Sequence, residues 1–377
     1  MGEIVSIKEL LDGVEVEWKA LGTVANVTIG EFIHKNRQNP SASYPVYNGG
    51  RKPTGYYDEY NNTGKKVIVS ARGANAGFVN KIYEPYWAGN SSYSVSTKDE
   101  TLLNWEFVFY YLKSNETKLI GSQQGGGGIP AISKKQMQSF QIPIPPLHIQ
   151  SKIVQVLDNF TELTAELTAE LTAELTARKK QYSYYRDKLL RFGDDVEFKP
   201  LGEVADIGVG NKPKIIHDTI QDFEYINAGT TKSGYSDDFN CDGDTVTTPS
   251  RGQGGIGFIG YQKNKFWLGP LCYKIRKKEE SNAITKYLYY FLEQNNHLIL
   301  KMKKEGGVPA VNRGDLIKLN IPIPSLEEQE RIVSILDKFD TLTNSISEGL
   351  PREIKLRQQQ YEYYRDLLLT FPKGEKI

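Results

Sequence analysis

The chain reads as a mixed α/β (α+β) protein built by tandem duplication. Two globular units are separated by two long antiparallel helices, which pair as a coiled-coil-like rod with pseudo-twofold symmetry. Three observations predict this. First, long segments recur in the same order at a nearly constant offset, close to half the chain. VEWKALGTVANVTIG (16–30) returns as VEFKPLGEVADIGVG (196–210), IPIPPLHIQSKIVQVLDNFTELT (142–164) as IPIPSLEEQERIVSILDKFDTLT (321–343), and RKKQYSYYRDKLLRF (178–192) as RQQQYEYYRDLLLTF (357–371). Second, residues 147–191 hold neither Gly nor Pro and carry an apolar stripe at spacings of three and four, including Ile149, Ile153, Leu163, Leu167, Leu171, Leu175 and Leu189. Third, such a helix would span roughly 67 Å, longer than a small domain is wide, so its seam needs an equally long partner. The expected divisions are 1–146, 147–192, 193–324 and 325–377: globular unit, helix, globular unit, helix.

The elements of one repeat follow from local chemistry. Short β-like runs, KKVIVSA (65–71), TVTTPS (245–250), GIGFIGY (255–261) and FWLGPLCYKI (266–275), lie between Gly, Asn and Asp turns. Aromatic helices follow at WEFVFYYLKSN (105–115) and TKYLYYFLEQN (285–295), then a glycine loop, then IPIPP or IPIPS. Proline at alternate positions forces an extended segment. The long helices begin after it, the second with Ser325 and Glu328 at capping-box spacing. That second helix, about 326–370, carries Gly349 and Pro351, where a kink or break is expected. Between the well-matched ends, residues 31–140 and 211–310 share only a skeleton: SARGANAGFV against PSRGQGGIGFI, Trp87 against Trp267, GGIPAI against GGVPAV. This pattern reads as a constant frame carrying a variable recognition part.

Composition excludes several classes. No apolar run approaches the roughly 18 residues of a membrane span, and the start MGEIVSIKELLDGVEVEW lacks a signal peptide's basic flank and apolar core. Cys241 and Cys272 are read as reduced thiols of a cytoplasmic protein. His34, His148, His217 and His297 are scattered without ligand spacing. DFNCDGD (238–244) begins like a calcium loop, but Pro249 stands where a bidentate Glu is required, so a turn is expected there. There is no Walker-type phosphate loop and no Asn/Asp-Pro-Pro-Tyr/Phe motif; IPPL (144–147) is no substitute. Catalysis by this chain alone is not expected.

The net charge is +1, yet residues 31–140 hold 13 Lys and Arg against 8 Asp and Glu, and residues 261–320 hold 12 against 5. A neutral chain can thus still present basic faces to a polyanion. Candidate DNA-contacting residues are Tyr44, Tyr47, Asn48, Arg51 and Lys52 in YPVYNGGRKPTGYY, Arg72 and Asn75, and Arg251 and Gln253 in the matching turn. Gln123, Gln124, Lys134, Lys303, Lys304 and Asn312 in the glycine loops complete the set, with Lys232 and Lys263. Arg pairs bidentately with guanine and Asn or Gln with adenine, while Lys serves phosphates. For partner docking the candidates are the repeated helix ends, Tyr182, Tyr185, Arg186, Tyr361, Tyr364 and Arg365; the same aromatic residues could instead pack the helices together.

Taken together, the proline-led entries IPIPPLHIQSKIVQVLDNF and IPIPSLEEQERIVSILDKF, the exits QYSYYRDKLL and QYEYYRDLLL, and the openings EWKALGTVANV and EFKPLGEVADI resemble the specificity subunits of type I restriction–modification enzymes. The resemblance spans the chain and includes the Thr-Ala-Glu-Leu repeats of residues 161–180, known in one branch of that family. It implies two target-recognition domains, each reading half of a split double-stranded DNA target, on helices that hold them apart. It further implies two methylating subunits docked on the frame and two restriction subunits joined through them. AdoMet, ATP and Mg²⁺ would then belong to the partners, and no cofactor, metal or membrane to this chain. It transfers no base-contacting residue. The other functions considered are a helical adaptor that ignores DNA and a self-sufficient DNA methyltransferase.

In that setting the repeat gains a meaning. Each four-residue unit adds about 6 Å and turns about 40° past a full circle, while neighbouring base pairs lie about 34–36° apart. The tract reads as an adjustable spacer whose leucine seam drifts, so only a few units can stay buried.

Overall fold

The computed structural model describes residues 16–121, 130–252, 254–304, 308–345 and 347–371. It divides into two compact units, residues 1–169 with 355–377, and residues 170–354. The topology is written twice, as the sequence is. In the first unit a four-stranded antiparallel sheet runs in the order Ala25–Ile29, Ser92–Thr97, Lys66–Ser70, Val79–Ile82. In the second unit the order is Ala205–Val209, Cys272–Lys277, Thr245–Pro249, Gly260–Gln262. Each unit adds a three-stranded sheet with one parallel pairing, Val46 opposite Trp87 and Tyr225 opposite Trp267.

The alternate prolines are extended, as expected. Gln141–Ile144 pairs antiparallel with Glu17–Ala20, and Asn320–Pro322 with Phe198–Pro200. A proline has no amide hydrogen to donate, and each such pair has only two strands, so the missing donor faces no third neighbour. The strand Lys66–Ser70 shows why a short apolar run is a fully buried strand here. Val67 and Val69 belong to the main core, while Ile68 points to the opposite face with Tyr47, Ile82 and Tyr86.

Two expected strands are shorter than read. In GIGFIGY only Gly260 and Tyr261 are extended, because Gly257 sits at φ +88 and any Cβ there would approach Leu300 to within 2.7 Å. FWLGPLCYKI divides into Trp267–Leu268 and Cys272–Lys277 around a turn at Pro270.

The first long helix is continuous over Leu147–Leu189. Its counterpart is two helices, Leu326–Asn344 and Leu350–Leu368. The break falls just before Gly349 and Pro351, with Pro351 in the first turn of the later helix, where its missing N–H costs nothing. The Ser325 hydroxyl accepts the Glu328 amide at 3.3 Å, but the Glu328 carboxylate grips Arg331 rather than completing a capping box.

Each unit binds its aromatic helix to a long helix with the same polar fittings. Gln150 is fully buried; its Nε2 donates to the carbonyls of Leu102 and Pro145, and its Oε1 accepts the Asn104 amide. Gln329 repeats this with Asn282, Pro324 and Ile284. Further along, Tyr110 donates to Asp158 and Tyr290 to Asp337, each at 2.5 Å. Lys81 joins the first carboxylate and Lys286 the second. The helix exits finish the cores. Leu368, Leu369 and Phe371 are buried in the first unit, with Phe371 edge-on to Phe107. Leu190 is buried in the second, where Phe192 packs against Tyr287. The structural unit and the sequence repeat therefore differ: each exit closes the unit built on the other repeat's strands.

Gln150→Ala should destabilise the first unit by about 2–3 kcal/mol, since it removes three hydrogen bonds and strands the Asn104 amide. Hydrogen exchange by mass spectrometry should show faster exchange in residues 102–114, with residues 282–294 unchanged.

Candidate nucleic-acid interface

Pro130–Ile132 and Pro309–Val311 find their role at one turn in each unit. Arg72 and Ala131 form an isolated β-bridge, the Gly73 amide donates to Pro130 O at 2.8 Å, and Ile132 N to Ala71 O at 2.8 Å. The second unit has the same contacts: Arg251 bridges Ala310, Gly252 N donates to Pro309 O at 3.1 Å, and Val311 N to Ser250 O at 2.9 Å. Beneath each strap a buried tyrosine donates to the strap carbonyl, Tyr93 to Ile132 O and Tyr273 to Val311 O, both at 3.0 Å. Gly73 and Gly252 have positive φ, which lets the chain reverse directly after the arginine. Both arginines are exposed on a backbone fixed from two sides.

Charge gathers around these tyrosines. Burial pushes the Tyr93 phenol up, and the nearby Arg72 charge pulls it partly back. Burial likewise raises Tyr273, opposed by Arg313 and Arg251. Arg313 occupies the place that Lys134 holds in the first repeat. Its Nε donates to Ile207 O at 2.8 Å. Arg313 is missing from the candidates drawn from the sequence, although its correspondence to Lys134 was the available signal. Lys134 is exposed and opens the helix Lys134–Ser139, whose cap Ser133 forms a complete box with Gln136.

The neighbouring loop brings more candidates to the first turn. Gly49, at φ +78, lies so near that a Cβ would come within 3.1 Å of Arg72 O. Arg51 Nε donates to Asn75 Oδ1 at 3.2 Å, and its guanidinium carbon lies 5.4 Å from the centre of the Phe78 ring. Lys52 is exposed on the same loop.

Other candidates are placed elsewhere or occupied. Tyr47 is a core residue, 7 % exposed and edge-on to Tyr86, with its phenol raised by burial; it presents no surface to a ligand. Asn48 Oδ1 accepts the Ser91 amide at 2.9 Å, as Asn227 does for Leu271, so its presence in both repeats serves loop closure. Tyr44 packs edge-on to exposed Tyr60. Lys232 is held by Glu224 at 2.7 Å and the Tyr235 ring. Lys263 is exposed in the turn before Trp267, Lys303 is exposed, and Lys304 pairs with Asp315 at 3.1 Å. Asn312 is exposed and caps Arg313–Leu316 without a side-chain bond. Gln123, Gln124 and Gln253 lie outside the described residues. Asn240, in the calcium-like stretch, holds the Leu268 amide and carbonyl, as Asn61 holds those of Ala88. No group of three His, Cys, Asp or Glu among the described residues could bind a metal ion.

At the helix exits, the residues singled out for docking also pack within each unit, with Tyr185 and Tyr364 each still 36 % exposed. Tyr182 and Tyr185 stack on Phe339, and Arg186 meets Glu293 at 3.3 Å. In the other unit Tyr364 stacks on Phe160, Tyr361 Oη lies 3.0 Å from Thr161 Oγ1, and Arg365 pairs with Asp366. Tyr184 and Tyr363, at matching positions of the two repeats, are 61 % and 64 % exposed. Each lies two residues beyond a seam tyrosine, Tyr182 or Tyr361, and over that step a helix turns through rather more than half a circle. Their outward placement is therefore legible in the sequence.

Comparison with known proteins gives these features a context. The model of the type I restriction modification DNA specificity domain matches twice, over residues 13–177 and 193–356. The chain is 34 % identical to the specificity subunit of the Escherichia coli type I restriction enzymes EcoR124I and EcoR124II over the full length of both. A chain solved for complex assembly and conformational transition of a type I restriction–modification system aligns with TM-score 0.66 and 17 % identity, over 95 % of this chain and 98 % of that one. The S subunit of such a system from M. genitalium aligns with TM-score 0.57 and 20 % identity, covering 96 % and 98 %.

Arg72→Ala and Arg251→Ala should each weaken duplex binding evenly across sequences. Each should also make the log–log salt slope shallower by about 0.9. Titrations at a series of salt concentrations measure this; an unchanged slope would place these guanidiniums away from phosphates.

Proposed function

The chain belongs to the DNA specificity subunits of type I restriction–modification systems, and we propose that it reads the two halves of a split target while its partners do the chemistry. Recognition of a DNA target is the family's function, and this chain carries the specificity domain twice. The observation that carries the proposal is the repeated turn: in both units an exposed arginine stands on a backbone strapped down by a Pro-Ala segment. One turn in each unit suits two half-sites. The complex works in the cytoplasm. Two methylating subunits dock on the helices, two restriction subunits join through them, and AdoMet, ATP and Mg²⁺ are bound by those partners. Mapping N6-methyladenine across the genome with and without this gene tests the reading. A split motif that disappears with the gene is expected, and an unchanged methylation pattern would refute it.

Tyr184 and Tyr363 are proposed anchors for the methylating subunits, because the duplication keeps both and the packing uses neither ring on the seam. Replacing both with Ser should lower the affinity for the methylating subunit at least about tenfold, if each is an aromatic hot spot. Neither change should alter the melting temperature, since both side chains are exposed. Sedimentation or mass photometry of the assembled complex would read the loss.

The Thr-Ala-Glu-Leu tract lies wholly within the helix Leu147–Leu189. Its leucines match a drifting seam: Leu163 is 51 % exposed, and Leu167, Leu171 and Leu175 are only half-buried. Deleting one unit should shorten the preferred gap by about one to two base pairs and leave both half-sites unchanged. Methylome mapping of the deletion would decide it; altered half-sites with an unchanged gap would mean the tract is no ruler.

A further inference from the structure

The duplication supplies an internal comparison. Arg72 and Arg251 sit at matching positions on equivalent straps, with Lys134 and Arg313 likewise matched in charge and place. A group kept the same at the same place in both units cannot distinguish two different half-sites. Differences must come from residues that the two units do not share.

Beside the shared arginine, the first unit has a grouping without a counterpart among the described residues of the second. Arg51 Nε is engaged by Asn75 Oδ1 at 3.2 Å, and the guanidinium lies over Phe78, whose ring centre also has Lys113 Nζ at 3.9 Å. Aligning YNGGRKPTGY with INAGTTKSGY places Thr230 opposite Arg51. The second turn is one residue longer after its Arg-Gly pair, and the equivalent bonds Phe78 N to Asn75 O and Phe258 N to Gly255 O place Gly255 opposite Asn75. Phe258 remains opposite Phe78, 39 % exposed, without the arginine.

The chemistry of this grouping is directional. A free surface arginine loses up to about 2 kcal/mol of rotamer entropy when it is ordered on binding. Here the inner nitrogen is already bonded and the guanidinium already rests against a ring. The two outer amino groups are left as a parallel pair of donors, the geometry that matches guanine O6 and N7 in the major groove. Asn75 Oδ1 is already engaged by Arg51, which makes Asn75 a support for the guanidinium in this arrangement.

We propose that Arg51 reads a guanine in the half-site of the first recognition domain, with Asn75 as its positioning residue. This rests on the DNA-reading role given above. The test uses the full chain assembled with its methylating partner and duplexes in which each base pair of both half-sites is changed singly. Arg51→Ala should lose about 10- to 100-fold of preference at one G·C pair of the first half-site only. Arg51→Lys should lose nearly as much, because an ammonium cannot form the fork. Asn75→Ala should lose about 3- to 10-fold at the same base pair, and Asn75→Asp, which keeps the acceptor, should restore it. Preference in the second half-site is the internal control for folding and assembly. Weakening spread evenly over all duplexes and rescued by Arg51→Lys would make Arg51 a phosphate contact and overturn the proposal. So would an unchanged preference at every position. If the unaltered complex discriminates at neither half-site, the DNA-reading role itself fails, a result distinct from either of these.

Discussion

Everything that this fold presents to a ligand depends on how a sheet-bearing domain is fastened to a helix. The fastening is polar and buried. Gln150 and Gln329 each satisfy two carbonyls and one amide at the point where an aromatic helix meets a long one. An apolar contact tolerates sliding, since dispersion and burial are nearly indifferent to small shifts along a seam. Three hydrogen bonds to one buried amide are not, because any shift leaves a buried group unpaired. The Tyr110–Asp158 and Tyr290–Asp337 bonds add a second fixed point in each unit. Two such points determine the direction of the aromatic helix as well as its place.

This fastening explains why the ends of the repeat match so well while its middle diverges. The glutamines, aspartates and tyrosines recur at offsets within one residue of each other because the same joint is made twice. The strapped turns belong to this constant class too, since Tyr93 and Tyr273 support the same carbonyl. Between these fixtures the loops are free to change. Arg51 and Asn75 have Thr230 and Gly255 at the matching places of the second repeat. A variable surface on an invariant joint lets binding preference change without disturbing the helices.

Much of this was legible in the sequence, and the failures have physical causes. Both aromatic helices and the extended proline segments were found to within a residue or two, because period and proline geometry are local properties. The chain break near Gly349 was legible for the same reason. The shortened strand in GIGFIGY was not, since Gly257 answers to Leu300, a neighbour only the fold supplies. Tyr47 and Asn48 looked like donors because a glycine-rich loop with polar residues resembles a binding loop. One is core and the other closes the turn. Among the docking candidates Tyr182 and Tyr361 lie on the seam, Tyr185 and Tyr364 are each 36 % exposed, and a more exposed ring stands two residues beyond each seam tyrosine. The repeat signalled that the Tyr-Tyr-Arg-Asp motif mattered without saying which face each ring occupied.

The mismatch between sequence repeat and structural unit has a consequence for how the chain is made. Residues 170–354 form a unit that is contiguous in sequence, so its core can close as soon as it has emerged from the ribosome. The first unit is not contiguous. Its sheets precede the second unit in the chain, yet Leu368, Leu369 and Phe371, all buried in its core, follow the whole of that unit. Until they arrive, Phe107 lacks its edge-on partner and the hydrophobic floor beneath the aromatic helix stays open to water. Domains commonly fold in the order of synthesis, but here the second unit can be complete while the first still waits. A buried strand satisfied on both faces, such as Lys66–Ser70, suits that interval: its backbone is already paired and its apolar side chains are already divided between two clusters. The long helix has a part in this order as well, because Ile149, Ile153 and Leu157 cover part of that core before residues 368–371 arrive.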